Sequence, residues 1–161
     1  MKLTMDDCVI ALTGRDETVS LDRTIHKLTP RFDSIARCIE RLESKLPFSL
    51  ESLQRDFDLQ DIASMNVYRI IQLSVDVCTM IIARSPAAIP GDMAECLSVV
   101  AGLGWISQET SLRMKKSVGL RNIMVHEYEK IDWEIVHGVV HDHLSDVKVF
   151  IREIIEHLAH A

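Results

Sequence analysis

Arg121, His126 and Tyr128 fall within eight residues, Arg121-Asn-Ile-Met-Val-His126-Glu-Tyr128, and set a cation, an imidazole and a phenol close together. A guanidinium grips a phosphate through its planar fork of donors. An imidazole takes or gives a proton near neutral pH. Those residue types at that spacing suit holding and cutting a phosphodiester. Each also has a plainer use. Arg and His near a helix C-terminus meet its negative dipole end, and a tyrosine can pack with its hydroxyl at the surface.

On an ideal helix Arg121 and Tyr128 are only ~20° out of line, and Asn122 and His126 ~40°, so two neighbouring faces carry the four residues. Arg121 and His126 are ~140° apart by the same arithmetic and do not stack on one straight helix. Three arrangements would bring them together: a sweep of the long arginine, a helix that ends near His126, or a second copy completing the site.

The elements that position this motif read as helices. In 161 residues the hydrophobic fraction is 47%, but aromatics make up only 5%, which favours a helical core of Leu, Ile, Val and Met. From Ser20, a candidate N-cap, Leu21, Ile25, Leu28, Phe32, Ile35, Ile39, Leu42 and Leu46 recur at spacings of four and three. Pro30 falls inside that period and predicts a kink or break near Thr29.

A second helical region spans about 49–84, with an interruption near Asp56 to Asp58 and a central half, 70–83, apolar nearly all round. Asp92 caps a short third helix that Gly102 and Gly104 end, and Ser107 caps a fourth leading into the motif. Asp132 starts a fifth, striped by Trp133, Val136, Val140, Leu144, Val147, Ile151, Ile154 and Leu158. No strand-like alternation competes, so the expected architecture is an all-α bundle of about five helices. The expected organisation is an extension over 1–20 and a single domain over 21–161.

The net charge of −6 argues against broad, sequence-independent nucleic-acid binding and leaves room only for a local basic cleft. Arg113, Lys115, Lys116 and Arg121 lie within nine residues, although such a run is usually a solvated helix face. Cys8, Cys38, Cys78 and Cys96 show no metal or disulfide spacing and read as reduced thiols. His137 and His141, four apart, could offer two nitrogens to a metal, but no HExxH pattern accompanies them and a packing role is the better reading. No stretch approaches the ~20 apolar residues of a membrane span, and no signal segment is evident, so a cytoplasmic location is expected.

The segment Gly119-Leu-Arg121-Asn122-Ile-Met-Val-His126-Glu-Tyr128, followed by Ile131-Asp132-Trp133, resembles the HepT family of HEPN-domain toxins. Upstream support comes from Ser49-Leu-Glu51, Val67-Tyr-Arg69-Ile-Ile-Gln72-Leu and Leu103-Gly104-Trp105-Ile106. The likeness covers about 21–150; a bare RxxxxH is weak, but RNxxxHxY between GL and IDW is specific. The resemblance implies a HEPN-type antiparallel bundle that dimerises, sets two motifs in a shared cleft and cuts RNA without a metal or other cofactor. It also implies a MntA-type nucleotidyltransferase antitoxin that silences the toxin by AMPylation of the motif tyrosine, here Tyr128.

In that scheme Arg121 and His126 are the catalytic pair, and Asn122 and Tyr128 position the substrate. Arg69 and Gln72 also match the family pattern and are assigned a structural role first. A different class of function uses the same fold: a non-catalytic module that binds a nucleotidyltransferase or a nucleotide.

Overall fold

A computed structural model describes residues 18–160 of the chain, with side chains described from 23 onward. The first helix, α1, runs Thr18–Glu43, so it starts two residues before Ser20, which lies within the helix instead of capping it. Of the expected extension, only residues 18–20 are described, and they belong to this helix.

Pro30 sits inside α1 without interrupting it. Proline forfeits one backbone bond and crowds the turn before it, but the side chains beside it make bonds to the neighbouring turns. Thr29 Oγ1 donates to the Ile25 carbonyl at 2.8 Å, and Ser34 Oγ donates to that of Pro30 at 2.9 Å. Leu28, Phe32, Ile35, Ile39 and Leu42 are all buried on the same face, and their packing holds the helix through the defect.

Two helices follow: α2 over Leu50–Arg55 and α3 over Phe57–Ile82. Asp56 is at once the C-cap of the first and the N-cap of the second, accepting from the Leu59 N–H at 3.0 Å, which accounts for the interruption expected there. Helix α3 is the centre of the molecule and packs against α1 and α2. By length and a mean hydropathy of 1.3 it comes nearer to a membrane span than the sequence reading allowed, but more than half of that stretch is buried inside the bundle.

Helix α4, Met93–Gly102, is capped by Asp92 and also packs on α3. It ends in a Schellman motif: the Gly104 N–H reaches the Ala101 carbonyl and the Trp105 N–H reaches that of Val100. Gly104 takes φ +80, a left-handed conformation that glycine adopts at no steric cost. Trp105 is thereby turned to stack on His157 at 4.2 Å between ring centres.

Helix α5, Gln108–His126, is capped by Ser107 and leads into a single 3-10 turn, Tyr128–Lys130. The expected last helix is in three parts: α6 over Trp133–Gly138, a π-helical turn over Val139–His143, and α7 over Leu144–His160. Within the π turn the His141 ring donates Nδ1–H to the His137 carbonyl at 2.9 Å, competing for the acceptor that an α-helical His141 N–H would use. Phe150, fully buried on α7, anchors this last element, and its truncation to Ala would cost about 3–5 kcal/mol. No strand occurs among the described residues, in agreement with the all-α expectation.

Candidate active site

Helix α5 delivers the motif to its own C-terminus. It stops at His126 because Glu127 leaves helical geometry at φ −139 and ψ 45, its N–H still bonded to the Ile123 carbonyl at 2.9 Å. Of the three arrangements open to the sequence, the structure shows the helix ending at the histidine. Tyr128 is therefore on the 3-10 turn and off the helix, and the expected alignment of Arg121 with Tyr128 does not occur. An angle extrapolated along α5 has no meaning beyond its last residue.

Arg121 is half-buried and is held from α3. Gln72 Oε1 accepts from its Nε at 3.2 Å and from its Nη2 at 2.9 Å, while Nη1 donates to Asn122 Oδ1 at 3.2 Å. The guanidinium carbon stands 5.5 Å from the ring centre of Tyr68, within reach of a cation–π attraction. Gln72 is itself fixed, since its Nε2 donates to Asp76 Oδ1 at 3.0 Å.

All three groups that hold Arg121 are neutral, and no carboxylate pairs with it among the described residues. A guanidinium has five N–H donors. The recorded bonds use three, so charge and donors remain for an anionic ligand. Sequence reasoning put Gln72 in a structural role; the structure makes it the residue that aims Arg121. The signal was present in the Tyr68 to Gln72 spacing of four, which puts both on one face of α3.

His126 is exposed and makes no hydrogen bond or ion pair among the described residues. Asn122, four residues before His126 on the same helix, makes no bond to it and accepts instead from Arg121 through Oδ1. Tyr128 is 54% exposed, and its hydroxyl lies 3.5 Å from Asp61 Oδ1 on α3, the outer limit of a hydrogen bond. Tyr128 also lines a hollow with Arg41, Asp61, Asn66 and Arg69. The motif thus offers a held cation, an unengaged imidazole and an accessible phenol.

The other candidates resolve differently. Of the basic run, Arg113 bonds to Glu109 and Asp146, and it lines a separate groove with Lys116 and His143. Hydrogen bonds to Asp146 and Glu109 raise its pKa. His137 Nε2 donates to the Phe48 carbonyl at 3.1 Å, and its ring stacks on His141 at 3.9 Å. Both therefore pack the 46–49 turn, and no group of three metal-ligating side chains occurs among the described residues.

An all-α bundle that ends one helix on Arg-Asn-x-x-x-His, with a tyrosine just beyond, has the architecture of a HEPN-domain protein. The chain belongs to the Ribonuclease HepT-like family, whose model matches residues 35–154. It is 34% identical over 118 residues to the mRNA nuclease HepT of Shewanella oneidensis, covering 73% of this chain and 88% of that protein. It is 24% identical over 128 residues to the tRNA nuclease HepT of Aphanizomenon flos-aquae, covering 80% and 87%. Its fold superposes with a TM-score of 0.73 on the tri-AMPylated Shewanella oneidensis HEPN toxin in complex with its MNT antitoxin, at 32% identity over 79% of this chain and 95% of that one.

Proposed function

We propose that this protein is the toxin of a HEPN/MNT toxin–antitoxin pair, a metal-independent endoribonuclease acting in the cytoplasm and silenced by AMPylation of Tyr128. The observation that carries the reading is the contrast within the motif. Arg121 is anchored only by neutral groups with donors to spare, and the exposed His126 at the end of the same helix has no partner among the described residues.

Cleavage of RNA at its own 2′-hydroxyl needs a base for that proton, a cation for the phosphoryl oxygens and an acid for the departing 5′-oxygen. As the 2′-oxygen bonds to phosphorus, the phosphorus–O5′ bond breaks, leaving a cyclic phosphate and a 5′-hydroxyl. Arg121 would stabilise the charge that grows on the phosphoryl oxygens. His126 would move one of the protons. Asn122, whose amide N–H groups are unspent, would position the phosphate, and Tyr128 would contact the strand.

One motif supplies a single histidine for two proton transfers, which favours a two-fold dimer with a second His126 in the cleft. Exposed Met65 and Val125 lie beside Tyr128 and give such a dimer an apolar seam near the motif. The accessibility of Tyr128 suits attack of its phenol on a nucleotide, with a nucleotidyltransferase as the partner that presents it.

His126→Ala is expected to abolish RNA cleavage in buffer containing a chelator while leaving the circular dichroism melt unchanged. Cleavage by the variant at the wild-type rate would remove His126 from the mechanism, and wild-type activity that vanishes with the chelator would remove the metal independence. Tyr128→Phe is expected to take up no AMP from the partner enzyme by intact mass. Full incorporation in that variant would place the modification elsewhere.

A further inference from the structure

We propose that Arg37, Arg41 and Arg69 form a phosphodiester-binding track between α1 and α3 that holds the ribonucleotide strand next to the motif. The inference rests on the nuclease reading and extends it to residues far from the motif in sequence. Arg37 and Arg41 are one turn apart on α1, and Arg69 faces them from α3 across an open groove of about 760 Å³.

Two observations tie this groove to the motif. Tyr68 and Gln72, the α3 residues that hold Arg121, line it as well. At its other end Arg41, Asn66 and Arg69 are shared with the hollow of about 500 Å³ that Tyr128 lines. A continuous surface therefore runs from the anchor of Arg121, past two guanidiniums, to the phenol.

The cations of this groove are not paired with carboxylates among the described residues. None of the three arginines forms an ion pair among the described residues; Arg37 donates only to Ser34 Oγ, at 3.1 Å. Glu40 and Asp61 line the same surfaces, leaving the cations in the majority. Cys38, also on the groove wall, reports the cluster: burial raises its thiol pKa, and the charges of Arg69, Arg37 and Arg41 all pull it back down.

Like charges held together on one face repel, and this chain, at net −6, has enough carboxylates to pair them. Arg55, Arg113 and Arg152 are all paired in that way. A row of guanidiniums beside two tyrosines matches how single-stranded nucleic acid is held, with cations tracking phosphates and rings stacking on bases. The phosphodiester of an adenylylated Tyr128 has the same chemistry and would reach Arg41 and Arg69 from the adjoining hollow. Modification would then displace the strand from its track.

The test measures binding of a fluorescein-labelled single-stranded oligoribonucleotide by anisotropy, as a function of salt, with all variants in the full-length His126→Ala background. Arg41→Gln/Arg69→Gln is expected to weaken binding about ten-fold and to flatten the salt dependence by about 1.4 in log–log slope, for two lost phosphate contacts. Arg41→Lys/Arg69→Lys should keep the slope. Unchanged affinity and slope in the Gln variant overturns the proposal, as does an equal loss in the Lys variant.

Unchanged RNA affinity with lost co-purification of the nucleotidyltransferase would reassign the groove to that protein. If the His126→Ala parent bound no RNA at low salt, the nuclease reading would fail and the track with it; RNA binding that ignores Arg41 and Arg69 sinks the track alone. A last arm compares protein adenylylated before purification. A slope like that of the Gln variant shows that the tyrosine-linked phosphodiester occupies the track, and a retained slope assigns the track to the RNA strand only.

Discussion

Helix α5 carries two arginines eight residues apart, and the molecule treats them in opposite ways. Arg113 is gripped by Glu109 on its own helix and by Asp146 on α7, with His143 sharing the same aspartate. Arg121 is gripped by an amide oxygen, a second amide and the face of a ring. Both surroundings combine an arginine, a nearby histidine and a groove, so the inventory of residue types hardly distinguishes them. What separates them is neutralisation. A guanidinium between two carboxylates has little left for a phosphate, whereas one oriented by neutral acceptors keeps its charge.

The largest test of this contrast is removal of the uncompensated cation. Arg121→Ala should lower kcat/KM for RNA by about 10²–10³, the usual worth of one charge-stabilising donor, with the thermal unfolding midpoint near that of the parent. A loss under ten-fold would mean that the charge is not used in the transition state.

An intermediate effect comes from making Arg121 resemble Arg113. Gln72→Glu puts a carboxylate where the amide oxygen stands, and it should reduce cleavage by about ten-fold, more than Gln72→Ala. If Gln72→Ala were the worse of the two, aiming the guanidinium would matter more than keeping its charge free. The smallest effect is expected at the other end of the helix. Arg113→Ala should leave cleavage at the parent rate and lower the melting temperature only slightly, since the pair with Glu109 is exposed. A large loss of activity there would erase the distinction between the two regions.

Much of the architecture was legible in the chain because its signals are local. Asp92, Ser107 and Asp132 cap the helices they were expected to cap, each through a bond to a backbone N–H two or three residues on. The four-and-three spacing from Leu28 to Leu42 became the buried face of α1. Of the kink or break expected near Thr29, the break does not occur, because the local cost of Pro30 is outweighed by packing along both flanking turns. Tyr128 misled because helix arithmetic assumes a helix that continues, and Glu127 ends it.

By itself the sequence determined which chemistry was on offer: a cation, an amide, an imidazole and a phenol in fixed order at the end of a capped helix. Covalent spacing and bonds between near neighbours are sufficient for that. Only the tertiary structure decided which cation is available. Gln72 reaches Arg121 across 49 positions and Asp146 reaches Arg113 across 33, while Arg37 and Arg41 meet Arg69 only through the packing of α1 on α3. The field at a charge depends on every group within a few ångströms, and for a folded chain those groups come from distant stretches that no local pattern records.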